Sequence, residues 1–143
     1  MSGWLLDTNV ISELRRPRPN ARVMAFVSGA NLADLHVSVV TLAEIRFGIA
    51  LAPDPVVRRD LEDWLERRVR PMFAGRVLSV SEDVMFRWRV MVEEGRRREH
   101  TFSQPDLLIA ATALQHGLTV VSRDAAGYHG TGAGLLDPWR DKR

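Results

Sequence analysis

The chain has 143 residues, with 20 Lys and Arg against 18 Asp and Glu for a formal charge of +2, and no cysteine. That length suits a single domain, residues 1–143, able to bury roughly 70% of the surface its unfolded form exposes; the missing thiols exclude disulfide staples, thiolate metal clusters and cysteine nucleophiles and fit a reducing, cytoplasmic setting. A pI near 9.9 overstates the charge at neutrality, because Lys142 is the sole lysine and Tyr128 the sole tyrosine, so only local arginine clusters argue for an anionic partner.

The first residues lack the basic region and long apolar core of a signal peptide, and no apolar run approaches about 18 residues, so no membrane attachment is expected. Trp4, Leu5 and Leu6 form a short apolar run that breaks at Asp7, Thr8 and Asn9, residue types that favour turns and helix caps. Asp7 therefore falls at a strand-to-helix junction. Val10, Ile11 and Leu14 stripe the following helix until Pro17 and Pro19 end it. Asn20 caps a second helix, whose Val23, Met24, Phe26 and Val27 face inward before Ser28 and Gly29 stop it. Residues 35–40 read as the second strand. Thr41 and Glu44 have capping-box spacing at the head of a helix carrying Ile45, Phe47, Ile49 and Leu51. After Pro53 and Pro55, a solvated amphipathic helix recurs through Val56, Val57, Leu61, Trp64, Leu65 and Val69.

Residues 76–80 read as a third strand, and Ser81 opens a helix through Val84, Met85, Trp88, Met91 and Val92 that runs out in Arg96, Arg97 and Arg98. Ser103 and Asp106 again have capping-box spacing, Pro105 fits a first turn and Gly117 fits the position past a helix end. Between them Leu107, Leu108, Ile109, Ala110, Ala111, Ala113 and Leu114 cover nearly the whole circumference, which predicts a buried helix. Residues 118–121 suit a short strand covered on both faces, ending at Ser122, Arg123 and Asp124. The small and glycine-rich residues 125–134 read as loop, with Leu135 and Leu136 a last strand before Pro138 and Trp139.

Strands alternating with helices imply an α/β fold around a mainly parallel sheet covered on both faces. Right-handed crossovers put its strand-to-helix junctions along one edge, where ligand crevices lie. Asp7, Glu44, Asp106 and Asp124 all fall at or just after such junctions. Each alone could be a helix cap or a turn residue; their repetition at one edge is what points to chemistry. Clustered acids repel one another and raise their own pKa values unless a cation neutralises them. Oxygen ligands without histidine or cysteine companions favour Mg²⁺ or Mn²⁺ over zinc, and such an ion can activate water and neutralise charge on a phosphodiester. His36, His100, His116 and His129 share no ligand or triad spacing, and Trp64 and Trp88 occupy apolar helical positions that predict core or interface. The run at Arg96, Arg97 and Arg98 fits either a solvated helix end or a contact to a phosphate backbone.

Three segments in order resemble PIN-domain proteins, and within them the VapC and FitB type of toxin ribonuclease. They are Leu5-Leu6-Asp7-Thr8-Asn9-Val10-Ile11-Ser12-Glu13-Leu14, then Thr41-Leu42-Ala43-Glu44-Ile45 with Gly48, then Pro105-Asp106-Leu107-Leu108-Ile109-Ala110-Ala111-Thr112-Ala113 followed by His116-Gly117-Leu118. The resemblance covers essentially the whole chain. It implies a three-layer α/β/α sandwich and cleavage of single-stranded RNA with Mg²⁺ or Mn²⁺, Asp7, Glu44 and Asp106 matching the family's acids directly. Many relatives carry Thr-Arg-Asn and an Asp three residues after that Asn. Here the triplet is Ser122-Arg123-Asp124 and the later position is Gly127, so either the fourth acid has moved to Asp124, from which it could still reach the metal, or the site runs with three strong ligands. Thr8 and Ser122 match hydroxyl positions that would orient the carboxylates. A small cognate antitoxin that blocks the crevice, and a homodimer or a hetero-oligomer with that antitoxin, are also implied. The alternative is a catalytically inactive PIN domain that binds RNA or protein. A receiver-like domain would need a lysine at this edge, where Lys142 is badly placed, and a haloacid phosphatase would need an Asp where Asn9 stands.

Overall fold

Neighbouring strand residues face opposite sides of a sheet, and in the computed structural model, which describes residues 3–141, Leu5 and Leu6 are both fully buried. Such a strand belongs in the middle of a sheet covered on both faces. Strand β1 (Gly3–Leu6) is indeed the centre of a five-stranded sheet ordered β3-β2-β1-β4-β5, in which β2 is Leu35–Ser38, β3 Val77–Leu78, β4 Leu118–Val121 and β5 Leu135–Leu136. Every ladder is parallel, and β1 pairs with β4 along its whole length, Gly3 opposite Leu118 and Leu6 opposite Val121.

On one face Leu6, Val37 and Val121 pack with residues of α1 (Thr8–Glu13), α2 (Ala21–Gly29) and α3 (Val39–Ala50). The same cluster takes Leu65 and Val69 from the π-helical turn Leu65–Val69, which joins α4 (Pro55–Trp64) to the short α5 (Arg70–Met72), and Phe73 just beyond. On the other face Leu5 and Val120 pack with α6 (Glu82–Arg97) and α7 (Gln104–His116). The layers are those expected from the alternation of strands and helices. Helix α7 is buried as its composition predicts, and Gly117 closes it at φ +66°, a left-handed conformation that glycine adopts without a Cβ penalty. Among the described residues no helix is long and apolar enough to cross a membrane. Met1, Ser2, Lys142 and Arg143 lie outside the described residues.

Several local expectations give way. The second strand stops at Ser38 rather than residue 40, because Ser38 Oγ accepts from Val40 N at 3.0 Å and caps α3. Thr41 is therefore inside the helix and Glu44 lies in its second turn, not in a capping box. The apolar stripe Leu42, Ile45 and Ile49, spaced three and four apart, carries α3 into the core beyond its first turn, which leaves Phe47 and Leu51 at 66% and 65% exposure. Met24, Val56, Val57 and Met85 are likewise exposed rather than packed inward. The third strand shrinks to Val77–Leu78. Residues 125–134 do not begin as loop: Asp124 Oδ1 accepts from Gly127 N at 3.0 Å and starts a one-turn helix, α8 (Ala125–Tyr128).

Phe73 is fully buried, so Phe73→Ala should cost about 3–5 kcal/mol. Gly117→Ala meets no atom within 4 Å and should cost only the left-handed backbone strain, about 1–2 kcal/mol. Urea denaturation of both variants checks the ranking, and equal losses would deny Phe73 its anchoring role.

Candidate metal centre

Because β1 and β4 are in register to their last residues, the groups that follow them emerge side by side. Asp7 N continues the ladder to Val121 O at 2.9 Å, and the Asp7 side chain is left almost wholly buried, at 5% exposure. A carboxylate in that position needs hydrogen-bond donors. Thr8 N–H donates to its Oδ1 at 2.8 Å, while the hydroxyls of Ser122 and Tyr128 donate to its Oδ2 at 2.8 and 2.9 Å. Ser122 Oγ in turn accepts from Asn9 Nδ2 at 3.1 Å and from Asp124 N at 3.0 Å, and Asn9 Oδ1 accepts from Arg123 N at 3.1 Å. One network thus joins the start of α1, the end of β4 and α8.

The first turn of α7 brings Asp106 to the same edge. Ser103 occupies the cap position without a side-chain capping bond, so the capping-box expectation fails for this helix. The Asp106 carboxyl instead meets Asp124. Its pKa is pushed up to about 6, first by burial, then by the negative charges of Asp7, Asp124 and Glu44 and by its hydrogen bond with Asp124. Gly127 makes room for this pairing: a Cβ there would overlap Asp124 Oδ2 and Asp106 Oδ2 together. Glu44 approaches from α3, its pKa raised by desolvation and then by Asp7. Burial, then Asp7 and Asp106, drive the Tyr128 hydroxyl far above its ordinary range, so it stays a proton donor.

The four acids named from the sequence therefore share one crevice, Asp7 at its floor and Glu44 and Asp124 exposed at its rim. Ser122 reaches Asp7 through its hydroxyl; Thr8 does so through its backbone, and its own buried Oγ1 has no partner. Arg96 is forked onto Glu93 of its own helix at 2.9 and 3.1 Å, and Arg97 and Arg98 are exposed beside it. Tyr128 and Asn9 were not singled out as site residues from the sequence. The available signal for Tyr128 was a lone bulky aromatic inside an otherwise small, glycine-rich stretch.

Among the described residues no three acidic or histidine side chains converge into a ready-made metal cage. Mg²⁺ typically takes one or two carboxylates and several waters, and an all-oxygen, mutually repelling donor set matches a hard divalent cation.

The chain belongs to the PIN domain family, which matches residues 4–129. It is 39% identical to toxin FitB of Neisseria gonorrhoeae, over 96% of this chain and 99% of that protein. It is 35% identical to the VapC ribonuclease Y4jK of Sinorhizobium fredii, over 94% of this chain and 96% of that protein. The crystal structure of FitAcB from Neisseria gonorrhoeae aligns with a TM-score of 0.89 at 38% identity, covering 95% of this chain and 98% of that one. VapBC-5 from Mycobacterium tuberculosis, described as a member of the VapBC family of toxin-antitoxin systems, aligns with a TM-score of 0.63 at 25% identity, over 94% and 95% of the two chains.

The raised Asp106 pKa makes a linkage prediction. Below the unfolded value of 3.8 the group is neutral in both states, and as pH rises through about 6 the folded state loses the stability that protonation gave it. In EDTA at pH 7.5, Asp106→Asn should therefore melt above wild type, and the gap should close near pH 4. Identical melting temperatures across that range would contradict the crowding of acids.

Proposed function

We propose that this chain is a divalent-metal-dependent endoribonuclease, the toxin of a toxin–antitoxin pair, acting in the cytoplasm. The observation that carries the reading is the meeting of Asp7, Glu44, Asp106 and Asp124 at one sheet edge, where burial and then the charges of the other three push the Asp106 pKa up to about 6. RNA as substrate is supported by the ribonuclease name of the Sinorhizobium relative, and the toxin role by the Neisseria relative. The cognate antitoxin as partner, in a homodimer or a hetero-oligomer, rests on the toxin-antitoxin assignment of the Mycobacterium neighbour.

In this reading Asp7 and Asp106 are the direct ligands of Mg²⁺ or Mn²⁺, and Glu44 and Asp124 complete the shell or position water. When bound, the ion would neutralise charge on the phosphodiester and lower the pKa of an attacking water. The protein's own part is positional. Thr8 N–H, Ser122 and Tyr128 together orient the Asp7 carboxylate, the buried α7 keeps the Asp106 backbone from retreating, and Gly127 leaves the Asp106 and Asp124 carboxylates room to lie together. Arg96, Arg97 and Arg98 give α6 a basic end that could meet the RNA backbone.

The deciding experiment incubates antitoxin-free wild type and Asp7→Ala with total RNA and Mg²⁺ or Mn²⁺, with an EDTA control. Discrete fragments are expected from wild type with metal only. A folded wild type that leaves RNA intact, or an Asp7→Ala that cuts equally well, would move the inactive binding-domain reading ahead. Gly127→Ala separates site from fold: the clash falls on the side chains of Asp106 and Asp124 and on no backbone atom, so the variant should keep its cooperative melt and lose cleavage by at least about tenfold. Wild-type cleavage by Gly127→Ala would place the ion elsewhere.

A further inference from the structure

We infer that Tyr128 is a positioning residue for Asp7, its buried hydroxyl holding the carboxylate so that a single lone pair, on Oδ1, remains to meet a metal ion. This deepens the proposed metal-dependent reading and rests on it. An ionised carboxylate offers about four lone-pair sites. Thr8 N–H occupies one on Oδ1, and the Ser122 and Tyr128 hydroxyls occupy both on Oδ2. What is left lies on Oδ1, which makes Asp7 a one-oxygen ligand of fixed direction.

Ser122 cannot hold Oδ2 alone. Its oxygen already accepts from Asn9 Nδ2 and Asp124 N, so its one proton is committed to Asp7 and the second Oδ2 site is open to Tyr128 only. Tyr128 is 2% exposed, and its ring belongs to the apolar cluster with Phe102 and Leu107. Its carbonyl accepts from Thr131 Oγ1 at 2.7 Å and from Thr131 N at 3.1 Å. The ring and backbone are therefore seated without help from the hydroxyl. A phenylalanine would fill the same volume, and the only described hydrogen bond of the hydroxyl is the one to Asp7. Removing it would leave Oδ2 one donor short, with a second lone pair open and the carboxylate held by Thr8 N–H and Ser122 alone.

Tyr128→Phe tests this by isothermal titration of the full chain with Mn²⁺ in the absence of RNA. Affinity should fall by about tenfold or more, the usual effect of deleting an outer partner of a ligating carboxylate, while the metal-free variant keeps a cooperative melt, lowered only by the loss of one hydrogen bond to a buried carboxylate. Binding within twofold of wild type would overturn the assignment. Tyr128 is the only tyrosine, so ¹³Cζ-tyrosine labelling gives a single NMR resonance in the unmutated protein, which should shift on saturation with Mg²⁺. If the variant does not fold, an unmoved resonance in wild type with bound metal overturns the proposal instead. Wild type that binds no Mn²⁺ would bring down the metal-dependent reading itself, a result distinct from either of these.

Discussion

A buried carboxylate must be solvated by the protein around it, and the placement of Asp7 imposes that requirement on three separate parts of the chain. Its donors come from the residue that starts α1, from the end of the neighbouring strand and from a one-turn helix beyond it. The strand register makes this workable. With Leu6 opposite Val121 in a parallel ladder, Ser122 emerges beside Asp7; a slip of one residue would turn the β4 side chains to the opposite face and remove the donor. The central pair of strands and the floor of the crevice are thus one construction.

The second constraint is repulsion. Asp106 stands on a helix whose Leu107, Ile109, Ala110, Ala111 and Ala113 are all buried, so it cannot move away from Asp124 without disturbing the core. Burial first, and then this repulsion, push the carboxyl up to about 6, so at neutral pH its charge costs the fold stability. Sites that oppose the stability of their own scaffold are common where function requires the conflict. Neutralising this repulsion is the part given to the proposed divalent ion, and Glu44 and Asp124 are the exposed members of the group.

The residues in the crevice divide by how their neighbours are set. Asp7 and Asp124 are caps as well as members of the cluster, each accepting a backbone N–H at the start of a helix. Glu44 and Asp106, which have capping-box spacing in the sequence, make no such bond. The helix-cap and site readings are therefore not alternatives. Helix starts present carboxylates to the edge of a parallel sheet whether or not those carboxylates also satisfy the backbone.

The sequence alone determined what depends on short stretches of chain. Alternating apolar runs announced a covered parallel sheet, Asn20, Ser81 and Gly117 marked helix ends at their true positions, and the apolar circumference of α7 announced its burial. The nearness of Asp7, Glu44, Asp106 and Asp124 to one another was legible because strand-to-helix junctions are local features that a parallel sheet lines up on one edge. Tertiary structure decided the rest. Ser38 took the cap of α3 that Thr41 seemed to offer, only one side of α3 found the sheet, and Asp124 nucleated a turn where small residues suggested loop. The bond from Tyr128 to Asp7 spans 121 positions of sequence. No periodicity or cap predicts such a contact, because its distance is set by strand register and helix packing rather than by the residues between.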